Sequence, residues 1–164
     1  LDCLVITYGG SALLRLLDML AGDISPVTLH LSWPEPTEVI AADGKTKLYG
    51  ALFRPSNFSE DNHYPVINFI NGDPSFSSAP SGSFNSSRNI YGNVSYFQSS
   101  ALAELGFIVV QIDGLGTSGR SKEFHDHSYK NMENNLEDHV LAIKYLAQKY
   151  SWINIDKVGI YGFM

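Results

Sequence analysis

Apolar and polar positions become regular only beyond Pro36, where they predict a sheet with crossover helices. Residues 37–42 and 47–54 alternate in polarity on either side of Asp43-Gly44, and this pattern predicts a β-hairpin. Predominantly apolar runs follow at residues 66–70, 107–112 and 158–161. Such runs are typical of parallel strands that are buried on both faces.

Two helices are predicted between these strands. The first lies near residues 96–105 and is stopped by Gly106, and the second covers residues 134–150. One face of the second helix is expected to be apolar, with Leu136, Val140, Ile143 and Ala147. The alternation of strands and helices predicts an α/β fold with a parallel sheet.

The first 36 residues show no such regular alternation. Apolar segments at residues 4–8 and 12–20 are separated by the polar, glycine-rich residues 9–11. The spacing within 12–20 fits an amphipathic helix, whereas residues 21–23 fit a hairpin turn, and periodicity alone favours the helix. The proline-rich residues 32–36 predict an extended connector and a domain boundary.

Composition narrows the classes of protein to which the chain can belong. With 164 residues, 44% of them hydrophobic, one domain with a substantial core is expected. The net charge is −6 and no cluster of Lys and Arg occurs, which argues against nucleic acid and anionic membrane surfaces as partners. A single cysteine, Cys3, excludes an internal disulfide and a cysteine-built zinc site.

No signal peptide is visible at the amino terminus and no membrane span is visible in the sequence. No apolar run is long enough to span a membrane, and no basic segment precedes an apolar one at the amino terminus. Because the chain begins Leu-Asp-Cys without a methionine, we expect a fragment of a longer chain. Its localisation is therefore left undecided between periplasm, cell exterior and cytoplasm.

A glycine-rich loop after the second parallel strand offers one candidate chemistry. Gly114, Gly116 and Gly119 form a G-x-G-x-x-G pattern of the kind that binds dinucleotides. That fingerprint requires a helix to begin inside the motif, whereas here the helical pattern starts only near Met132. A structural loop is therefore favoured over a cofactor site.

A second candidate chemistry is metal binding by His125, Asp126 and His127. Two histidines two positions apart share a face only in an extended segment, and no third ligand has an obvious place in the sequence. No metal site is predicted. The remaining histidines stand singly, and surface hydrogen bonding is the default role for them.

The segments that follow two of the apolar strands suggest hydrolase chemistry. Asn71-Gly72-Asp73-Pro74 follows the first parallel strand, where α/β-hydrolases place part of the oxyanion hole, although an ordinary Asn-Gly turn fits equally well. The last strand runs into Gly162-Phe163-Met164, which has the form of the strand-to-helix elbow that presents a nucleophile. Met164 stands where that nucleophile is expected.

Taken in order and spacing, several motifs resemble the prolyl oligopeptidase family, and its dipeptidyl peptidase IV-like, bacterial branch in particular. They are residues 64–67, the loop at 71–74, residues 113–117, residues 120–126 and residues 158–162. In that family a β-propeller precedes an α/β-hydrolase domain with a Ser, Asp, His triad in that order. The resemblance covers about residues 36–164.

The resemblance implies two domains and a peptide substrate. Residues 1–33 would be the last strands of the propeller, which overrules the helix at 12–20, and residues 34–164 would be the amino-terminal half of the hydrolase domain. Asn71 and Gly72 would belong to the oxyanion loop, and Met164 would occupy the position of the nucleophilic serine. No cofactor is implied, and a homo-oligomer of the parent protein stays open.

Departures from the family pattern leave more than one function open. Asn71 replaces the family's oxyanion tyrosine, Leu115 replaces an arginine, and Met164 has no proton that a histidine could remove. We expect a fragment of a serine peptidase, because residues 158–161 would otherwise form an unpaired apolar sheet edge. The alternatives are a dinucleotide-binding domain and a non-catalytic module descended from the peptidase.

Overall fold

The computed structural model describes residues 4–7, 33–71, 98–130 and 134–163, together with Pro74, Ser75, Ser77 and Ala79. Its elements in chain order are β1 (Leu4–Thr7), β2 (Glu35–Ile40), β3 (Lys47–Phe53), β4 (Tyr64–Asn71), α1 (described at 98–104), β5 (Ile108–Ile112), α2 (Lys122–Asp126), α3 (Asn134–Lys149) and β6 (Ile153–Phe163). The strands form one sheet in the order β1-β6-β4-β5-β3-β2. The α/β class and the hairpin, strands and helices predicted beyond Pro36 are confirmed.

The β2–β3 hairpin forms because its turn satisfies its own polar groups. Gly44 adopts a φ of +73°, which a side-chain-bearing residue rarely tolerates. The Asp43 carboxylate accepts hydrogen bonds from the backbone N–H groups of Lys45 (2.9 Å) and Thr46 (2.8 Å) and from the Thr46 hydroxyl (2.5 Å). These bonds, those from Thr46 foremost, lower the pKa of Asp43 to about 2.

The three parallel strands β4, β5 and β6 lie at the centre of the sheet. Strand β4 pairs with β5 on one side and with β6 on the other, so the chain crosses over β4 between β5 and β6. Helices α1 and α3 cover opposite faces, each over its own apolar cluster. The α3 face buries, among others, Val66, Ile108, Val110, Ala142 and Leu146, and the α1 face buries Ile67, Phe69, Leu102, Val109 and Tyr161.

The buried face of α3 differs from the predicted one. Leu136 and Val140 are 48% and 45% exposed, whereas Ile143 is buried as expected. The face that meets the sheet is centred on Ala142 and Leu146 and includes two polar residues next to each other in sequence. The apolar pattern misplaced the face because those two polar residues, Asp138 and His139, find hydrogen-bond partners inside the fold.

The segment after the glycine-rich loop is also more ordered than the sequence suggested. Residues 122–126 form α2, where an uninterrupted loop was expected as far as Met132. The Ser121 hydroxyl caps this helix by accepting the backbone N–H of Phe124 at 3.1 Å. The apolar periodicity of a one-turn helix is too short to be recognised in a sequence. The serine that precedes such a helix is the local signal for it.

Strand β1 changes the interpretation of the front of the chain. Leu4–Thr7 pair in parallel with residues 159–162 of β6, and so they extend the α/β sheet. The predicted β-propeller remnant at residues 1–33 is therefore not confirmed, and the expectation that β6 forms an unpaired edge is wrong. The ambiguous segment 12–20 lies outside the described residues, and the domain boundary at residue 34 stays a prediction.

A buried hydrogen bond joins α3 to the central strand. The Nδ1 atom of His139 lies 2.9 Å from the Oδ1 atom of Asn68, and both side chains are almost fully buried. Because an amide oxygen can only accept, the Nδ1 atom of His139 donates. Burial disfavours the charged imidazole and lowers the pKa of His139 to about 4.

We therefore expect acid to destabilise the chain through His139. The unfolded imidazole takes up a proton near pH 6.5, while the folded one does so only near pH 4, so stability falls as the pH falls through this window. The loss should reach about 3 kcal/mol, measured by urea unfolding at several pH values. His139→Gln keeps an amide donor for Asn68 and does not titrate, so its unfolding free energy should depend less on pH. Asp138 is present in both proteins and cancels in the difference; equal pH slopes would contradict the assignment.

Candidate functional site

Polar residues follow the carboxyl ends of β4, β5 and β6, which meet at one edge of the sheet. From β4 the chain continues to β5 on one side and then to β6 on the other side. The segments that follow these strands therefore diverge and leave room between them. Ligands of open α/β sheets bind outside the carboxyl ends of the strands where the strand order reverses in this way. This edge is the candidate functional site.

The register of β4 and β6 brings the two predicted hydrolase segments together. Asn71 at the end of β4 pairs with Phe163 at the end of β6, and Ile70 pairs with Gly162. Asn71 is 9% exposed. Gly72 and Met164, the next residues of the two segments, lie outside the described residues. The structure thus places the predicted oxyanion strand end directly beside the strand that leads to position 164.

Gly162 allows this close approach of the two backbones. A Cβ atom added at Gly162 would overlap the carbonyl oxygen of Ile70 and lie 2.9 Å from its carbonyl carbon. Real Cβ atoms do not approach backbone so closely, so neither strand can keep its place with a larger residue there. The first glycine of the elbow therefore has a packing role that is visible in the described residues.

Asp113, directly after β5, ties the segment that follows β4 to the candidate site. Its carboxylate accepts hydrogen bonds from the Ser77 hydroxyl and, at 3.0 Å, from the backbone N–H of Ala79. Residues 77–79 belong to the long segment between β4 and α1, so Asp113 joins the carboxyl ends of two adjacent strands. The sequence marked Asp113 only as the start of a motif and gave it no role.

Ser118 makes a second connection between the same two segments. Its backbone N–H donates to the carbonyl oxygen of Pro74 at 2.7 Å, and its hydroxyl donates to the carbonyl oxygen of Ser75 at 2.6 Å. The oxyanion loop predicted at residues 71–74 is thus fixed at its far end by the loop after β5.

Three backbone N–H groups of the glycine-rich loop are directed at protein acceptors. Leu115 donates to the Oδ2 atom of Asp138 at 2.6 Å, Thr117 donates to the carbonyl oxygen of Gly114 at 3.2 Å, and Ser118 donates to Pro74. A dinucleotide fingerprint needs such groups free to face phosphate. The buried Asp138 carboxylate beside Leu115 would also repel an anion.

Asp138 anchors the loop and the β2–β3 turn to α3 at once. Its other carboxylate oxygen, Oδ1, accepts the backbone N–H of Ala42 at 2.7 Å. Burial raises the pKa of Asp138, and the hydrogen bonds from Ala42 and Leu115 offset part of that rise by stabilising the carboxylate. Sequence reasoning missed this residue, although its spacing of four from Ala142 and eight from Leu146 places it on the buried face.

Gly116 and His125 hold the turn after α2 against the loop. A Cβ atom at Gly116 would lie 2.5 Å from the Cβ atom of Ser128, and Gly116 adopts a φ of +92°. The Nδ1 atom of His125 donates to the carbonyl oxygen of Gly116 at 2.8 Å. Two of the residues singled out as candidate ligands therefore have structural roles here.

The described residues contain no group of three or more His, Cys, Asp and Glu side chains that could hold a metal ion. His125 and Asp126 are engaged instead with Gly116 and Lys122, and His127 ends α2. Among the same residues, no helix is long and apolar enough to cross a membrane.

Comparison with known proteins assigns residues 93–163 to the family model described as the prolyl oligopeptidase family. The chain is 33% identical over 131 residues to dipeptidyl peptidase 8 of Homo sapiens and of Mus musculus, a match that covers 78% of this chain. It is 25% identical over 114 residues to venom dipeptidyl peptidase 4 of Apis mellifera, covering 68% of this chain.

A solved structure supports the same relationship at the level of the fold. A crystal structure described as a dipeptidyl aminopeptidase IV from Bacteroides ovatus superimposes with a TM-score of 0.69 at 25% identity, covering 80% of this chain and 18% of that one. The chain spans only 14% of the length of the human and mouse relatives and 13% of the honeybee one.

Replacing Gly162 should destabilise the sheet at the candidate site. We expect Gly162→Ala to lower the free energy of unfolding by about 3 kcal/mol, because the methyl group forces β4 and β6 apart. Gly106→Ala is the matched control: its Cβ would meet nothing within 4 Å, and only its φ of +93° opposes the change, at a cost of about 1 kcal/mol. Both are measured by urea unfolding; an equal loss in the two variants would disprove the close-packing argument.

Removing the Asp113 carboxylate should release the segment after β4. In Asp113→Ala, we expect proteases to cleave near Ser77 and Ala79 at least several times faster than in the unmodified chain, since these two residues lose their acceptor. Asp61→Ala, an exposed aspartate elsewhere, serves as control. Cleavage sites are read by mass spectrometry, and an unchanged rate in Asp113→Ala would show that the carboxylate does not restrain the segment.

Proposed function

The chain belongs to the prolyl oligopeptidase family of serine peptidases, on its dipeptidyl peptidase IV-like side, and we propose that it supplies the oxyanion and nucleophile edge of a peptide-hydrolysing domain. The substrates would be peptides, cleaved by acyl transfer without a cofactor. The chain spans a small part of its relatives, so the proposal concerns the share of the reaction that these residues provide.

The pairing of Asn71 with Phe163 carries the proposal. In acyl transfer a nucleophile attacks the scissile carbonyl, whose oxygen becomes negatively charged and must be met by hydrogen-bond donors. The nucleophile therefore has to reach the carbon of a substrate carbonyl while those donors reach the oxygen of the same carbonyl. Adjacent strand ends, one leading to Gly72 and the other to position 164, satisfy this requirement.

Met164 limits what the chain can do on its own. A thioether has no proton to lose and forms no stable acyl intermediate, so it cannot replace the serine of the family. The Asp and His that would complete a triad have no counterpart assigned in these residues. We therefore propose that the isolated chain binds or positions peptide but does not hydrolyse it.

The glycine-rich loop does not favour the dinucleotide alternative. Three of its N–H groups already bond to protein acceptors, and Gly116 is required for packing against Ser128. Replacement of Gly116 would consequently disturb the loop whether or not a cofactor binds. Met164 favours a different second candidate, a non-catalytic module that keeps the peptidase fold and its peptide-binding edge.

The activity prediction is that the 164-residue chain hydrolyses neither dipeptide nitroanilides nor simple esters above background. Met164→Ser should not restore turnover, because no histidine of the family triad is available to take the hydroxyl proton. Labelling with a fluorophosphonate, followed by mass spectrometry, provides an independent measurement in both proteins. Stoichiometric labelling of a serine that is present in the unmodified chain, for instance Ser118 or Ser121, would reveal an active site other than the proposed one.

A further inference from the structure

A cleft of about 320 Å³ opens beside the candidate site, between the segment after β4 and the turn after α2. We call it the Lys130 cleft; its lining includes Pro74, Ser75, His125, Asp126, Tyr129 and Lys130. Its volume is at the lower end of the range for small-ligand sites, and it would admit one or two amino-acid residues. Of the predicted elbow and oxyanion loop, only Pro74, at the far end of the loop, lines this cleft.

Both walls of the Lys130 cleft are fixed to the same loop. The wall at Pro74 and Ser75 is held by Ser118, and the opposite wall is held where Ser128 packs on Gly116 and His125 donates to Gly116. The Ser128 hydroxyl adds a hydrogen bond of 2.8 Å to the carbonyl oxygen of His125. A cleft braced in this way keeps its shape without a ligand, which lowers the entropy cost of binding.

Lys130 gives the cleft an uncompensated positive charge. No carboxylate lies within ion-pair distance of its ammonium group in the part of the chain that the structure describes, and the ammonium group lies over the Tyr129 ring, 5.3 Å from the ring centroid. The other charged residue of the lining, Asp126, is already paired with Lys122. The cleft is therefore suited to an anionic group.

The backbone at Lys130 is a second, independent feature. Its φ of +59° makes it the one non-glycine residue with a positive φ among those described. A lysine in this left-handed region costs about 1 kcal/mol relative to the ordinary helical or extended conformation. Glycine or asparagine would hold the turn at lower cost, so the turn alone does not account for a lysine.

The cleft lies within reach of the scissile position. Pro74 is three residues beyond Asn71, so their Cα atoms are at most about 11 Å apart. An extended peptide advances about 3.4 Å per residue, so a group two or three residues from the scissile bond could enter the cleft. On the acyl side of a dipeptidyl substrate the group at that distance is the positively charged amino terminus, which Lys130 would repel.

We propose that the Lys130 cleft is a subsite for a carboxylate on the departing part of the peptide, two or three residues beyond the scissile bond. This inference rests on the proposed function and adds a substrate preference to it. The carboxylate has two sources, the free carboxyl terminus of a short peptide or an acidic side chain. Both would be recognised by the same ammonium group.

The experiment measures peptide binding to the 164-residue chain by NMR, from the backbone amide shifts of Ser75, Tyr129 and Lys130. Three probes separate the sources: N-acetyl-trialanine with a free carboxyl terminus, its carboxamide, and N-acetyl-Ala-Glu-Ala carboxamide. We expect saturable shifts with one or both carboxylate peptides and a dissociation constant at least tenfold higher for the trialanine carboxamide. The carboxylate peptide that binds more tightly identifies the source.

Variants assign the effect to Lys130. Lys130→Gln should raise the dissociation constant of the carboxylate peptides at least tenfold, and Lys130→Arg, which keeps the charge, should restore most of the affinity. Lys144→Gln removes one exposed positive charge from α3 and should leave binding unchanged. Equal binding of the trialanine carboxamide, an unchanged constant in Lys130→Gln, or acetate binding as tightly as the peptides would overturn the proposal.

Failure of this test is separate from failure of the proposed function. The binding measurement needs no catalysis, whereas the proposed function is tested by turnover and by fluorophosphonate labelling. Equal binding of the carboxylate peptides and of the trialanine carboxamide would remove the carboxylate subsite and leave the proposed peptide binding intact, whereas absence of binding by all three peptides would contradict both. Labelling at an unexpected serine would remove the reason for placing the departing peptide in this cleft.

Discussion

The parallel pairing of β4 with β6 is the constraint on which the candidate site depends. The register shifts between Pro65 and Val66, so that Pro65 pairs with Asn154 while Val66 pairs with Val158. Proline has no N–H to give to a strand ladder, and irregular pairing is expected beside it. The extra residues of β6 are taken up at this point, where the backbone N–H of Asp156 turns back to the Oδ1 atom of Asn154 at 3.1 Å. Beyond the shift the pairing runs unbroken to Asn71 and Phe163. The ends of β4 and β6 at the candidate site therefore lie side by side.

Buried polar groups then set how the covering helix and the loops meet this sheet. Asp138 holds Ala42 and Leu115, and His139 holds Asn68, so one turn of α3 joins the hairpin, the glycine-rich loop and the central strand. Such groups are costly to bury unless they are fully hydrogen-bonded, and for that reason they favour one arrangement over others. Apolar packing alone would allow α3 to rotate.

The glycine-rich loop gains a physical role from this arrangement. Three of its N–H groups and Gly116 contact protein: Gly116 packs on Ser128, and Ser118 holds Pro74 and Ser75. The same sequence pattern that resembles a phosphate-binding fingerprint therefore serves to fix the segments after β4 and after α2. The preformed walls of the neighbouring cleft follow from it.

The sequence by itself determined the hairpin at Asp43-Gly44, the three buried strands and the class of fold, because turn chemistry and apolar runs are local properties. It also marked Asn71 and Gly162, whose motifs are short and contiguous. Only the tertiary structure decided which face of α3 is buried, that Leu4–Thr7 extend the sheet beside β6, and that Asp113, Ser118 and Asp138 connect the loops of the site. These contacts join residues far apart in the chain, and a polar side chain reveals its partner only when folding has brought that partner within hydrogen-bond distance.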